Sequence, residues 1–234
     1  MKFMLFAFLS IAAVAQTKTD IPRMPNGKPN FKGVWQHPYV PDMTLTRGDQ
    51  TGTKELPYTK EGSDNFKAYD PAHGDYTGQC LPMGLSRSQN APYPIQIMQD
   101  DDYLSFLFEQ STWFNIVYLD NRPHPTGDAL NPNWFGHSVG HWEGDALVID
   151  TVGFNGKTRL DTIGHPHSDQ LHMTQKLKFA DNNHLEYETI IDDPVMYTKP
   201  WNNKRIYTRM KPGSELIEYS CEENNKDYTE GHIK

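Results

Sequence analysis

Only two cysteines, Cys80 and Cys221, occur in the 234 residues, and no H-E-x-x-H or comparable spaced ligand motif accompanies them, so no metal centre announces itself by pattern. Positive charge is scarce. Twenty-two Lys and Arg face 30 Asp and Glu, a formal net charge of −8, and such a surface repels polyphosphate and excludes nucleic acid as the expected partner. Helical periodicity is missing too, since no segment sustains it over three turns. After the first fifteen residues no long apolar run occurs, so no membrane span is expected.

What is present begins with a leader. Met1-Lys2, an apolar run from Phe3 to Val14 broken only by Ser10, and Ala13-Val14-Ala15 before Gln16 form a charged start, an apolar stretch too short to span a bilayer, and a small-residue cleavage site. Residues 1–15 therefore read as a secretory signal peptide, and the expected location is secreted or periplasmic. In that oxidising setting pairing is the default for Cys80 and Cys221. Such a bridge closes most of the chain and contributes roughly 4–5 kcal/mol by loop entropy; two buried free thiols are the alternative.

Residues 16–92 are punctuated by Pro22, Pro25, Pro29, Pro38, Pro41, Pro57, Pro71 and Pro82 and read as a long loop-rich N-terminal arm. Within the arm, Phe31-Lys32-Gly33-Val34-Trp35-Gln36 carries a G-x-W like that of the first strand of lipocalin-like barrels, where the Trp plugs one end. Residues 93–234 are the β domain, and arm and β domain are expected to form one structural unit. Strands are expected at 94–99, 103–108, 112–119, 134–142, 146–154, 170–180, 184–191, 205–210 and 215–221, divided by short polar or glycine-containing turns such as Glu143-Gly144-Asp145, which make neighbours antiparallel. The expected fold is all-β, an antiparallel meander closed into a lipocalin-like barrel; a two-sheet sandwich is the alternative.

Five of the ten histidines fall between Asn133 and Met173. Strand alternation puts Phe135, His137, Val139 and His141 on one face, with His137 and His141 about 13 Å apart along an ideal strand, too far to chelate one ion unless Gly140 makes a bulge. His172 shares a face with Thr174, Lys176 and Lys178; that face points inward in a hydrated barrel and outward in a solid one. His165-Pro166-His167, with Ser168 and Asp169, offers imidazoles suited to zinc. A loop pair capping a strand end is the plainer reading of it. Proton transfer is the less demanding use of these residues, because histidine titrates near neutrality. No cofactor is called for, and a metal ion is the alternative.

Several motifs carry a resemblance. Phe31-Lys32-Gly33-Val34-Trp35, Cys80-Leu81-Pro82-Met83-Gly84, Asp120-Asn121-Arg122-Pro123-His124-Pro125, the run Gly140 to Thr151, Gly164 to Asp169, Asp193 to Trp201 and Glu218 to Asn224 resemble, in order, those of a large family of secreted bacterial β proteins. Most of that family has no assigned activity. This chain departs from the family pattern at Asn115 and His141, where Arg is usual, and at Gln175-Lys176, where Glu-Arg is usual, as if an internal charged cluster were rebuilt. Within the family it resembles a branch found beside polysaccharide-degrading enzymes, similar to a dehydratase of oligosaccharides from ulvan, a sulfated algal polysaccharide.

That resemblance implies a carbon–oxygen lyase that removes water from uronate-containing oligosaccharides. The chemistry needs a base, an acid and a group that neutralises the carboxylate. His137, His141 and His172 are the candidates for acid and base, with Tyr197 as an alternative acid. Arg122 or Arg159 would clamp the carboxylate, and His124, His165, His167 and Trp201 would line the substrate site. Lys157-Thr158-Arg159 and Lys204-Arg205 are the candidates for a cationic cleft, unless they are ordinary solvated surface charge. A lipocalin-like barrel that binds a small molecule or glycan without catalysis is the alternative function.

Overall fold

Runs rich in Ile, Val, Leu, Phe and Tyr pair through short turns, because one face of each finds a common core. In the computed structural model, which describes residues 21–223, 225 and 226, the strands are β1 (Gly33–Gln36), β2 (Gln50–Gly52), β3 (Ile95–Gln99), β4 (Tyr103–Phe108), β5 (Phe114–Tyr118), β6 (His137–Glu143), β7 (Ala146–Val152), β8 (His172–Asp181), β9 (His184–Asp192) and β10 (Trp201–Arg209). They lie in the order β1-β3-β4-β5-β6-β7-β8-β9-β10, and pairing of β1 with β10 closes the sheet into a barrel, with β2 an extra strip on β10. The sandwich alternative is thereby removed. The leader expected at residues 1–15 lies outside the described residues.

Three details differ from the sequence reading. The arm supplies a barrel strand, β1, while residues 215–221 form no strand and run instead toward the Cys80–Cys221 disulfide, whose Cα atoms are 5.6 Å apart. The meander is interrupted, since β5 and β6 are parallel and paired only at Val117–Ser138 and Tyr118–Val139. A parallel pair needs a crossover, and residues 119–136 provide it.

The barrel is filled. Trp35, Ile97, Leu104, Phe106, Leu147, Ile149, Tyr187 and Tyr207 are buried inside it. A polar thread crosses this core: Arg205, fully buried, donates to Asn90 Oδ1 and at 2.7 Å to Thr189 Oγ1, while Gln89 joins Gln175 to the Tyr187 hydroxyl. Arg205 therefore cannot line an outer cationic cleft, and its neighbour Lys204 is paired with Glu186 at 3.3 Å. Of the departures from the family pattern, Asn115 and Gln175 are internal, whereas His141 is exposed and Lys176 half-buried on the outer face, so the rebuilt positions are not one internal cluster.

One barrel end is plugged as the G-x-W suggests. Trp35 donates from Nε1 to the Phe31 carbonyl at 2.9 Å, and the Arg209 guanidinium stacks on its ring at 4.2 Å. Gly33 sits at φ +138°, where a Cβ would lie 2.8 Å from Arg209 Nη1, so the glycine admits the stacking arginine. At the other end the arm docks through α1 (Lys60–Ala68), capped by Thr59. A Cβ on Gly62 would stand 2.0 Å from the Met196 carbonyl oxygen, so only glycine lets this helix lie against the 193–200 loop.

Candidate active site

Solid packing turns the polar faces of the strands outward, and this decides where the histidines go. On β6, Ser138 and Gly140 are buried while His137 and His141 face out; on β7, Asp150 and Val152 face out; on β8, His172 does. His137 pairs with Val152, which lies one position beyond the Thr151–Met173 pair of β7 and β8. Val152 thus stands between His137 and His172, whose backbones are about 10 Å apart at two strand spacings.

The crossover delivers a third imidazole. His124 Nδ1 lies 2.9 Å from His137 Nδ1, and its Nε2 lies 2.7 Å from Asp150 Oδ1. The other oxygen of Asp150 meets His172 Nε2 at 2.6 Å. Four side chains thus form one chain, His137–His124–Asp150–His172. His137 is stacked on Tyr118 at 5.4 Å, and the Arg122 guanidinium covers the same tyrosine at 3.9 Å.

The chain fixes proton positions. A carboxylate accepts only, so both Nε2 atoms facing Asp150 carry protons. Neutral His124 then has a lone pair on Nδ1, which accepts from the Nδ1–H of His137. Neutral His137 is left with its lone pair on Nε2, the arrangement a base needs.

The electrostatics separate the two ends. Burial, aided by nearby His124 and Arg122, pushes His137 below its ordinary 6.5. The hydrogen bond to Asp150 raises His172 above 6.5. Burial opposes ionisation of Asp150, but its bonds from His172 and His124 outweigh that and hold the carboxyl below its usual range. The shifts thus favour the neutral, proton-accepting form of His137 and the charged, proton-donating form of His172 on one surface.

Beside His137 the barrel wall opens. The first half of β5 has no strand against it on the β6 side, and a cleft of about 510 Å³ occupies the gap, bounded by Trp113, Phe114, Tyr118, Trp134 and His137 with Asn115 and Ser138 among its lining. Phe114 is 58% exposed, an aromatic face of the kind that stacks on a sugar ring.

The remaining sequence candidates are elsewhere or already engaged. His141 is exposed, 3.7 Å from Glu143, and β6 runs without a bulge at Gly140, so it stays apart from His137. Tyr197 is buried with its hydroxyl donated to the Pro166 carbonyl at 2.8 Å, and burial pushes that hydroxyl far up, which removes it as an acid. Trp201 is buried against Tyr197 and His165 and offers no face to a substrate. His165 is held by Asp161 at 2.5 Å and stacked on Phe66 at 4.8 Å, and His167 is bound by Thr158 and the Ser168 carbonyl. Both are therefore buried structural groups, not substrate contacts.

The H-x-H pair and His172 serve three separate partners, so they do not converge on an ion. Asp42, Asp161 and His165 do come within 4.8 Å of one another, yet both oxygens of Asp161 already accept from Met43, Gly164 and His165. Arg159 stacks on Tyr69 at 4.6 Å and donates to Asn65, within the docked arm. Arg122 remains beside the histidines, paired with Asp120 at 2.5 Å.

Asp150 is the residue that sequence reasoning missed. Its signal was an acidic side chain inside the apolar run Ala146-Leu147-Val148-Ile149-Asp150-Thr151, which costs stability on a strand unless a partner faces it. No family model matches this sequence, and no curated protein matches it.

Proposed function

We propose that the protein is a secreted hydro-lyase acting on uronate-containing oligosaccharides, ulvan fragments included. The observation that carries this reading is the chain His137–His124–Asp150–His172, with a base and an acid at its two ends beside an aromatic cleft. The Cys80–Cys221 disulfide supports an oxidising compartment.

In the proposed reaction His137 Nε2 takes the proton from the carbon next to the uronate carboxylate. The C–H electron pair becomes the new carbon–carbon double bond, the C–O bond to the neighbouring hydroxyl breaks with its pair, and that oxygen takes a proton from His172 Nδ1 and leaves as water. The protonated His137 then shares its charge with His124 and Asp150, and exchange with solvent restores both imidazoles. Arg122, whose Nε and Nη2 are taken by Asp120, offers Nη1 to neutralise the carboxylate. Val152 is an apolar floor between acid and base.

Incubating the protein with oligosaccharides that end in a saturated uronate, with a free hydroxyl beside its carboxylate-bearing carbon, and weighing the products tests this directly. A product lighter by one water is expected. Binding by calorimetry with no change in mass would replace the enzyme by a glycan-binding protein; the filled barrel would then put the ligand on the outer face.

A further inference from the structure

Among the described residues, the His137 side chain makes one hydrogen bond, from Nδ1 to His124 at 2.9 Å. A single bond leaves an imidazole free to swing about it, so the plane of the ring must be held by packing. Tyr118 supplies that packing. It lies face to face with His137, ring centroids 5.4 Å apart and planes 24° from parallel. The short parallel pairing of β5 with β6 brings the two together, because it sets Tyr118 opposite Val139, whose neighbour on the outer face of β6 is His137. Tyr118 is itself held: its partner on β4, Tyr103, meets it edge-on at 5.9 Å, and the Arg122 guanidinium covers its ring at 3.9 Å.

We infer that Tyr118 is a positioning residue for His137: its ring fixes the plane of the imidazole, and its π-face stabilises the charge that His137 gains with the proton. An aromatic face is electron-rich and attracts a cation lying over it, so the stack is stronger for the imidazolium than for the imidazole. Such a contact strengthens as the transition state forms, which is what lowers a barrier. The charged groups facing His137 do not supply this. Burial, then His124 and Arg122 from the crossover, oppose its protonation, and Asp120 is paired with Arg122. On β7, Val152 is apolar and Asp150 is engaged by His124 and His172. For its kinetic consequence the inference rests on the hydro-lyase reading; the stack and its effect on protonation do not.

Proton NMR titration of the imidazole Cε1–H in the full chain reads the pKa of His137 without any substrate, the signal being assigned by its loss in His137→Gln. Tyr118→Leu keeps apolar bulk beside His137 and removes the aromatic face. The pKa of His137 should then fall by about half a unit, the acid limb of the pH–rate profile should follow it, and kcat should drop roughly ten- to a hundredfold with KM little changed. Tyr118→Phe keeps the face and should restore the titration, the limb and the rate. His172 should titrate alike in all three proteins, the sign that the outer face is intact. An unmoved His137 titration in Tyr118→Leu, or a Tyr118→Phe variant that behaves like Tyr118→Leu, overturns the inference. If the titration moves as stated but no uronate oligosaccharide loses water, the hydro-lyase reading fails and the role of the stack stands. If water is lost but the titration does not respond to Tyr118→Leu, the inference fails and the reaction stands.

Discussion

His137 Nδ1 lies 2.9 Å from His124 Nδ1, and only one proton joins them. Because Asp150 holds the far nitrogen of His124 at 2.7 Å, that proton belongs to His137 when both rings are neutral, and the outer nitrogen of His137 is a free base. The consequences are kinetic.

Replacing His137 with Gln should lower kcat by about 10²–10⁴-fold, the usual worth of a positioned base, with the thermal midpoint little changed because the side chain is on the outer face. Replacing His124 with Phe should also lower kcat, but with a second signature. It removes one of the influences that push His137 below 6.5, so the acid limb of the pH–rate profile should move to higher pH. A loss of rate with the limb unmoved would show His124 to be packing only.

The profile itself should be bell-shaped in kcat/KM. The base must be neutral, so activity falls as pH drops through the pKa of His137, below 6.5; the acid must be protonated, so activity falls as pH rises through the pKa of His172, above 6.5. Asp150→Asn withdraws the bond that raises His172, and the alkaline limb should move down. Steady-state rates across the pH range measure both limbs.

Stability should weaken in mild acid because of a residue far from the site. His37 is 3% exposed and accepts no proton easily: burial, with the Arg205 charge adding to it, lowers its pKa from 6.5 to about 4. Between those values the unfolded chain binds a proton that the folded chain does not, so stability falls as pH drops from 6.5 to about 4, by about 3 kcal/mol in total. Urea unfolding across this window should show that loss, and His37→Gln should flatten it. An unchanged slope in the variant would assign the loss to other groups.

The tether between arm and tail should matter to stability and not to the reaction. Cys221→Ala opens a loop of sequence separation 141, and the loop-entropy model gives a loss of roughly 4–5 kcal/mol. Unfolding midpoints with and without reductant measure it, and the variant's turnover below its midpoint should match the parent's.

Much of the fold was legible because strand period and turn chemistry are local. Glu143-Gly144-Asp145 marks the β6–β7 hairpin from sequence, as Gly144 at φ +61° takes a turn conformation that side chains resist. The parallel pairing of β5 with β6 was not legible, since residues 119–136 carry no strand pattern and their path depends on what the barrel leaves uncovered. The disulfide was legible as the default pairing of the two cysteines once a leader was expected ahead of them. The engagement of Tyr197 and His165 was not, because the arm that buries them is bound through α1 and Gly62, a contact between segments more than a hundred residues apart.

The sequence by itself determined that His137 and His141 share one face, because side chains alternate on any strand. It also placed His172 with the polar residues of β8. Only the tertiary structure decided that these faces point out: Trp35, Phe106, Tyr187 and their neighbours fill the barrel completely enough that the polar side of each strand has nowhere else to go. Closure then set β6, β7 and β8 side by side and made Asp150, one carboxylate in an apolar run, the point where His124 and His172 meet.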